Sequence, residues 1–289
     1  MIVPFVKMHG AGNDFVVIDV VRDESLRVLD WGQLSRTLLD RRFGIGADQL
    51  LVLERPALKD AAVKMRIFNP DGSEVEMCGN GIRCAALYCK RFLGVQGERF
   101  GVETLSGIVV PSIEGDEVAV DMGLPILEAE RVPTTAKGRV AGMPLEVSGR
   151  QFLIHAVSMG NPHCVIEVAD DEGLMMAETF GPKIEREPFF PNRTNVEFVR
   201  VLRPDLAKVR VWERGAGLTL ACGSGACAVA VALRLAGRLA PEVALELPGS
   251  TLFVRYQGLG EHVFLKGPAV FVFEGRYPLT PSVGEERYV

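Results

Sequence analysis

Two cysteines in this chain stand immediately ahead of glycine-rich stretches that read as helix starts: Cys78 in "MCGNGIRCAA" and Cys222 in "ACGSGACAVA". At a helix start the unpaired backbone N–H groups and the positive end of the dipole lower a thiol's pKa, so a sulfur there can be thiolate near neutral pH. The same N–H groups bind a carboxylate, and glycines let the backbone come close to it. If two copies of one fold pack about a pseudo-two-fold axis, the two helix starts face one another across a crevice. A substrate carboxylate then sits between Gly79-Asn80 and Gly223-Ser224, with its α-carbon between the sulfurs. A thiolate on one face removes the α-proton, a thiol on the other supplies one, and the stereocentre inverts without a cofactor. The developing enolate charge needs converging donors in a site closed to water, so closure around the substrate is expected.

The correspondence extends beyond the cysteines. Gly12-Asn13 followed by "DFVVID" matches Gly160-Asn161 followed by "PHCVIE", and Asn69 stands as far ahead of Cys78 as Glu213 does of Cys222. A duplicated unit explains this. The chain has six asparagines, Asn13, Asn69, Asn80, Asn161, Asn192 and Asn195, and nearly all lie in these stretches. An amide both donates and accepts, which suits a zwitterionic amino-acid group; turn chemistry is the competing explanation at Asn13 and Asn161. In "VWERGAG", Arg214 reads as a bidentate clamp on a carboxylate and Glu213 as the partner of an ammonium, where a lone strand would make such a pair a solvated edge. His163 in "GNPHC" either tunes the thiols, orients a group or is a satisfied structural histidine. Gln49 lies in "RRFGIGADQL", whose glycines suggest backbone close to a ligand. Cys84, Cys89, Cys164 and Cys227 read as buried small hydrophobes.

The elements that must position these residues fit two modest domains, since 289 residues exceed one typical folded unit. The pattern reads as a hairpin around Gly12-Asn13, a helix in "LDWGQLSRTLLDRR", strands "DQLLVLE" and "AAVKMRIF", and a buried helix from Gly81 to Leu93. Short strands follow, with a boundary near "LPILEAERVPTTAKGR". The second half repeats the order: strands "FLIHAVSMGNPHCVIEV", a helical piece near Gly173 to Phe180, strands "NVEFVRVL" and "KVRVWERG", the small-residue helix "GSGACAVAVALRLAG", then three terminal strands.

Composition excludes several classes. At 48% hydrophobic and 24% charged the chain is an ordinary globular protein, and its net charge of −5 comes from interleaved signs without the basic stripe of a nucleic-acid surface. The N-terminus lacks signal-peptide order and no apolar run reaches the ~20 residues of a membrane span, so the protein is expected to be cytoplasmic. Six cysteines in that setting argue against a disulfide framework, and with four histidines and no paired ligand spacing they are a poor zinc set, so no metal is expected. The G-N-G and G-S-G runs lack the full dinucleotide fingerprint.

Taken together, "HGAGNDFVVID", "FGIGADQLL", "NPDGSEVEMCGNGIRC", "MGNPHCV", "RTNVEFV" and "WERGAGLTLACGSGACA" resemble the diaminopimelate epimerase family along essentially the whole chain. The resemblance implies an α+β fold of two similar domains related by a pseudo-two-fold, each of mostly antiparallel strands wrapped around a central helix. The domains would span 1–124, joined by a C-terminal strand 268–289, and 125–267. It implies a cofactor-independent enzyme interconverting LL- and meso-2,6-diaminopimelate on the route to lysine and peptidoglycan, usually a homodimer. It places the acid/base cysteines at Cys78 and Cys222, assistance at His163 and Glu213, and substrate contacts at Asn13, Gln49, Asn69, Gly79, Asn80, Asn161, Asn195, Glu213, Arg214, Gly223 and Ser224. Two departures stand out: Leu218 where relatives often carry Glu, and Phe273 where many carry Tyr. Proline racemases and hydroxyproline epimerases are the nearest rivals, but they make no demand for a distal amino acid; phenazine-biosynthesis isomerases lack the cysteine pair. A thiol redox protein would want a C-x-x-C motif, which does not stand out, and a non-catalytic binding module would not need both cysteines.

Overall fold

A computed structural model describes residues 1–115 and 117–279. The chain divides into two units, Met1–Ile113 with the described part of Ala269–Val289, and Glu114–Pro268.

In the first unit the sheet order is Val270–Pro278, Ile2–Gly10, Asn13–Asp19, Gln49–Glu54, Ala61–Phe68, Gly101–Thr104, Gly107–Val109. Its β-branched and aliphatic strands place Val16, Ile18, Leu50 and Val52 in one buried cluster with Trp31, Leu38 and Phe68. The opening hairpin turns at Ala11-Gly12, with φ of 57° and 89°, and its register pairs Gly10 with Asn13. Two residues with positive φ make the turn whose twist suits a two-residue hairpin. Asn13 is thereby the first residue of a strand, one place beyond the turn.

Helix α1 is Trp31–Leu38, capped by Asp30, and helix α2 is Gly79–Phe92. Strands Ile2–Gly10, Asn13–Asp19, Gln49–Glu54 and Ala61–Phe68 all pack on α2. That explains why Ile82, Arg83, Cys84, Ala85, Ala86, Tyr88 and Cys89 are buried: the sheet wraps the helix, and small side chains let it approach.

In the second unit the order runs Ala141–Val147, Arg150–Ser158, Pro162–Glu167, Asn195–Arg203, Leu206–Glu213, Glu242–Leu247, Ser250–Arg255, Phe264–Pro268, Glu117–Asp121. Helix α3, Asp171–Ile184, begins and ends outside the expected 173–180 and packs on Asn195–Arg203 and Leu206–Glu213. Helix α4, Gly223–Leu235, touches strands from Arg150–Ser158 to Phe264–Pro268. Its Ala, Gly and Val residues are buried on every side, as the all-round apolar pattern requires. It ends in a Schellman motif: Gly237, at φ 74°, donates to Arg234 O and Arg238 N donates to Leu233 O at 2.8 Å.

Duplication is visible in the pairing itself. In each unit a hairpin's second strand pairs parallel with the next strand, Phe15 opposite Gln49 in one and His163 opposite Asn195 in the other. In each, a two-residue strand, Glu74–Val75 or Gly217–Leu218, leads into the cysteine-capped helix. Gln49 and Asn195 therefore open equivalent strands. Four strands follow α4, where three were expected, because Phe264–Pro268 and Val270–Pro278 are separated only by Ala269 yet join different sheets. Ala141–Val147 was not anticipated. Of the expected 268–289 strand, residues 280–289 lie outside the described residues.

Candidate active site

Cys78 caps α2 with extended backbone, φ −144° and ψ 112°, and its sulfur accepts from Gly81 N at 3.4 Å. Cys222 does the same for α4, with φ −122° and ψ 114°, accepting from Gly225 N at 3.3 Å. Each thiol thus takes the role an N-cap hydroxyl usually fills, which fixes the sulfur at the electropositive helix end.

Around Cys78 the first unit assembles Asn13, Asn80 and their partners. Asn80 Nδ2 donates to Asn13 Oδ1 at 3.2 Å, and Cys78 Sγ lies 3.9 Å from the same oxygen. Gln49 Nε2 donates to Asn69 Oδ1 at 2.9 Å, and Asn69 Nδ2 to Ser73 Oγ at 3.1 Å. Two neighbours were not singled out from the sequence. Asp48 accepts from Asn13 Nδ2 at 2.9 Å, and the fully buried Arg83 donates to Asn80 Oδ1 at 2.7 Å. Burial pushes the neighbouring Asp14 carboxyl up, but hydrogen bonds with Arg41, Lys7 and Asp48 outweigh this and hold it well below the usual carboxylate range.

The second unit surrounds Cys222 with acid. His163, fully buried, places Nδ1 2.7 Å from Glu197 Oε1 and Nε2 2.9 Å from Asn161 Oδ1. Glu197 is also fully buried, and its Oε2 has no hydrogen-bond partner among the described residues. Glu213 accepts from Thr219 Oγ1 at 2.6 Å; burial raises its pKa, opposed by Thr219 and His163 and reinforced by Glu197. Asn195 donates to Pro162 O at 2.8 Å and accepts from Arg214 N at 2.9 Å, so it fixes the turn that presents the Arg214 side chain. Ser224 Oγ lies 3.5 Å from Cys222 Sγ.

The helix start was expected to lower a thiol's pKa. At Cys222 the balance goes the other way: burial, then the Glu213 and Glu197 carboxylates, push it well above the usual thiol value, against the pull of Ser224 and the Gly225 N–H. The Cys84 and Cys89 thiols are pushed up to about 12 by burial, as suits inert core residues.

A family model described as diaminopimelate epimerase matches residues 5–128 and 155–272. The chain belongs to this family. A diaminopimelate epimerase from Carboxydothermus hydrogenoformans is 50% identical over 274 residues, covering 94% of this chain and 98% of its own. One from Microcystis aeruginosa is 48% identical over 285 residues, covering 96% and 100%. Among solved structures, a hydroxyproline epimerase from Agrobacterium vitis with bound trans-4-hydroxy-L-proline aligns with a TM-score of 0.68 at 16% identity, covering 98% of this chain and 94% of that one. A phenazine biosynthesis protein from Bacillus anthracis aligns at 0.67 and 16%, covering 96% and 100%. At that identity the likeness shows a fold shared with this chain.

Asp48, Arg83, Glu197 and Thr219 all lie inside the quoted stretches, but none was singled out there. Asp48 precedes Gln49, Arg83 follows Cys78 on α2 and Glu197 follows Asn195 by two positions in "TNVEFV", so the alternation of side chains along a strand was the available signal for Glu197. Of the two departures, Leu218 lies in the short strand beside Trp212 and Glu213, and Phe273 stacks edge-on against Phe5 at 5.9 Å. Among the described residues no helix is long and apolar enough to cross a membrane.

Proposed function

We propose that this chain epimerises one α-centre of 2,6-diaminopimelate, between the LL and meso forms, with Cys78 and Cys222 as a thiolate/thiol pair. The observation that carries the reading is the repeated cap: a cysteine at the N-terminus of the central helix of each unit, sulfur held by the third amide of the helix. Membership of the family and relatives named diaminopimelate epimerase at 48–50% identity support it.

In the forward step a thiolate takes the α-proton, and the C–H electron pair passes into the substrate carboxylate as an enediolate. The opposite thiol gives its proton to the other face of the carbon and becomes the new thiolate. No electrons leave the substrate, so no redox cofactor is called for. Cys222 is suited to rest as the thiol, since burial and two carboxylates disfavour its thiolate. Glu213 and His163 are its proton-handling neighbours. The amides after each cysteine, at Gly79-Asn80 and Gly223-Ser224, are the donors for the enediolate oxygens.

Substrate length is read by groups a proline would not need. Arg214, with its backbone held by Asn195, is proposed to clamp the distal carboxylate, and Asn69 and Gln49, already hydrogen-bonded to one another, to meet the distal amino acid. A homodimer is supported by the edge strand Val270–Pro278, which exposes Val270, Val272 and Phe273. A cytoplasmic location suits an enzyme of amino-acid biosynthesis.

The test is turnover without added cofactor, under reducing conditions, of LL-diaminopimelate, L-proline and 4-hydroxyproline in parallel. Conversion of LL-diaminopimelate to the meso form supports the assignment. Turnover of a proline substrate alone keeps the chemistry and overturns the substrate.

A further inference from the structure

Asn80 and Asn13 form a short relay whose ends are of opposite hydrogen-bonding character. Arg83 Nη2 donates to Asn80 Oδ1 at 2.7 Å, Asn80 Nδ2 donates to Asn13 Oδ1 at 3.2 Å, and Asn13 Nδ2 donates to Asp48 Oδ2 at 2.9 Å. A guanidinium only donates and a carboxylate only accepts, so each end forces both amides into this one orientation. Asn13 therefore turns its oxygen, never its NH2 group, toward Cys78 Sγ at 3.9 Å.

The two ends are built in. Arg83 is fully buried on α2, and a Cβ on Gly10 would lie 3.2 Å from its Nη2 and 3.2 Å from Asn80 O, so the hairpin strand gives up a side chain to let the guanidinium in. Asp48 also accepts from Asp14 N at 3.0 Å and from Arg41 Nη2 at 2.6 Å, and Asp14 is paired with Lys7 at 2.7 Å and with Arg41. The charged groups around the relay are thus Arg83, Asp48, Asp14, Arg41 and Lys7, with the Cys84 thiol next along α2.

We propose that Arg83 and Asp48 are positioning residues that act through Asn80 and Asn13, fixing a carbonyl oxygen rather than an N–H beside the Cys78 sulfur. The consequence is chemical. A carbonyl oxygen accepts the S–H proton and favours the thiol, while the Gly81 N–H on the other side favours the thiolate, so the relay keeps Cys78 able to hold and to give up its proton. Reversing the relay would put an N–H in place of that acceptor and shift the balance toward the thiolate. The inference rests on Cys78 being an acid/base residue, but it is read from the reactivity of the sulfur, so it fails separately from the epimerase assignment.

The experiment is the pH profile of Cys78 carboxamidomethylation by iodoacetamide, followed by peptide mass mapping, in the full-length protein and in Arg83→Gln, Asp48→Asn and the double variant. Thermal melts and circular dichroism confirm folding. One remaining end still sets the relay in each single variant, while charge alone shifts them slightly in opposite directions and cancels in the double. The expected result is a Cys78 alkylation midpoint that moves by less than about 0.3 pH units in each single variant and falls by about one pH unit in the double, a tenfold change in proton affinity. A double variant that folds and whose midpoint moves only by the sum of the single-variant shifts overturns the proposal. Neutron diffraction from a deuterated wild-type crystal tests it without any substitution: amide deuterons of Asn13 directed at Asp48 support it, and deuterons directed at Cys78 Sγ overturn it.

Discussion

Gly81 and Gly225 hold the same place, three residues into the cysteine-capped start of α2 and α4, yet alanine at the two is expected to behave very differently. A Cβ on Gly81 would meet Leu51 Cδ2 at 3.2 Å, Cys78 Cβ at 3.5 Å and Cys78 Sγ at 3.7 Å. The tight neighbour is the end of a flexible side chain, which can give by a few tenths of an ångström. A Cβ on Gly225 would meet Glu197 Oε1 at 2.8 Å and both Cys222 Cβ and Sγ at 3.3 Å. Here the neighbour is a fully buried carboxylate tied to His163 at 2.7 Å, with no solvent to move into. Alanine gains up to about 1 kcal/mol over glycine from helix propensity. Overpacking costs about 1–3 kcal/mol. Gly81→Ala should come out within about 0.5 kcal/mol of neutral, and Gly225→Ala about 1–2 kcal/mol destabilised, a drop of roughly 2–8 °C in melting temperature at ~2–4 °C per kcal/mol. Because the methyl group pushes Glu197 off His163, Gly225→Ala should also lose turnover out of proportion to its stability. Differential scanning calorimetry with steady-state kinetics on both variants decides it. Equal stability and equal activity in the two would refute the placement of Glu197 against α4.

Other expectations follow from the charges and sulfurs. Asp14 is held well below the usual carboxylate range, so its contribution to stability is present above about pH 4 and is lost as pH falls below that; Asp14→Asn should flatten that acid limb in urea titrations, and an unchanged limb contradicts it. Glu213→Gln removes one of the two carboxylates that raise the Cys222 thiol, so the alkylation midpoint of Cys222 should move down in pH, and a midpoint that stays or rises counts against the pairing. Alkylation of either Cys78 or Cys222 alone, located by mass mapping, should abolish epimerisation; full activity with one of the two blocked contradicts the paired-thiol mechanism.

What the sequence made legible was local. Each cysteine and the glycines after it announce a helix start, and the caps are where that reading put them. Asn13, Asn80, His163, Asn161, Asn195 and Arg214 fell in motifs; Asn13 and Asn80 lie beside the Cys78 cap, Asn161 meets His163, and Asn195 holds the Arg214 backbone. The residues missed act through tertiary contacts: Arg83 looks like any helix cation until the sheet buries it, and Asp48 and Glu197 gain their meaning only from parallel strand registers that no local pattern specifies. The thiol at Cys222 shows the same limit, because the helix end is a local feature and the two carboxylates that overrule it are not. Among elements, Ala141–Val147 escaped because Pro144 and Gly142 weaken its strand pattern, and both are tolerated since it lies at a sheet edge. The C-terminal strand, expected from 268, begins at Val270, because a continuous β-rich run does not show at which residue the chain changes sheets.

The central claim is that two thiols from the two units serve one carbon. The most direct measurement is proton exchange at the α-carbon: wild type, Cys78→Ala and Cys222→Ala incubated with LL- and with meso-diaminopimelate in D2O, following the α-proton by NMR. The account predicts meso product carrying one solvent deuterium from wild type, and no epimerisation in either variant. Epimerisation that survives in either variant, or product that keeps its original proton, would contradict it.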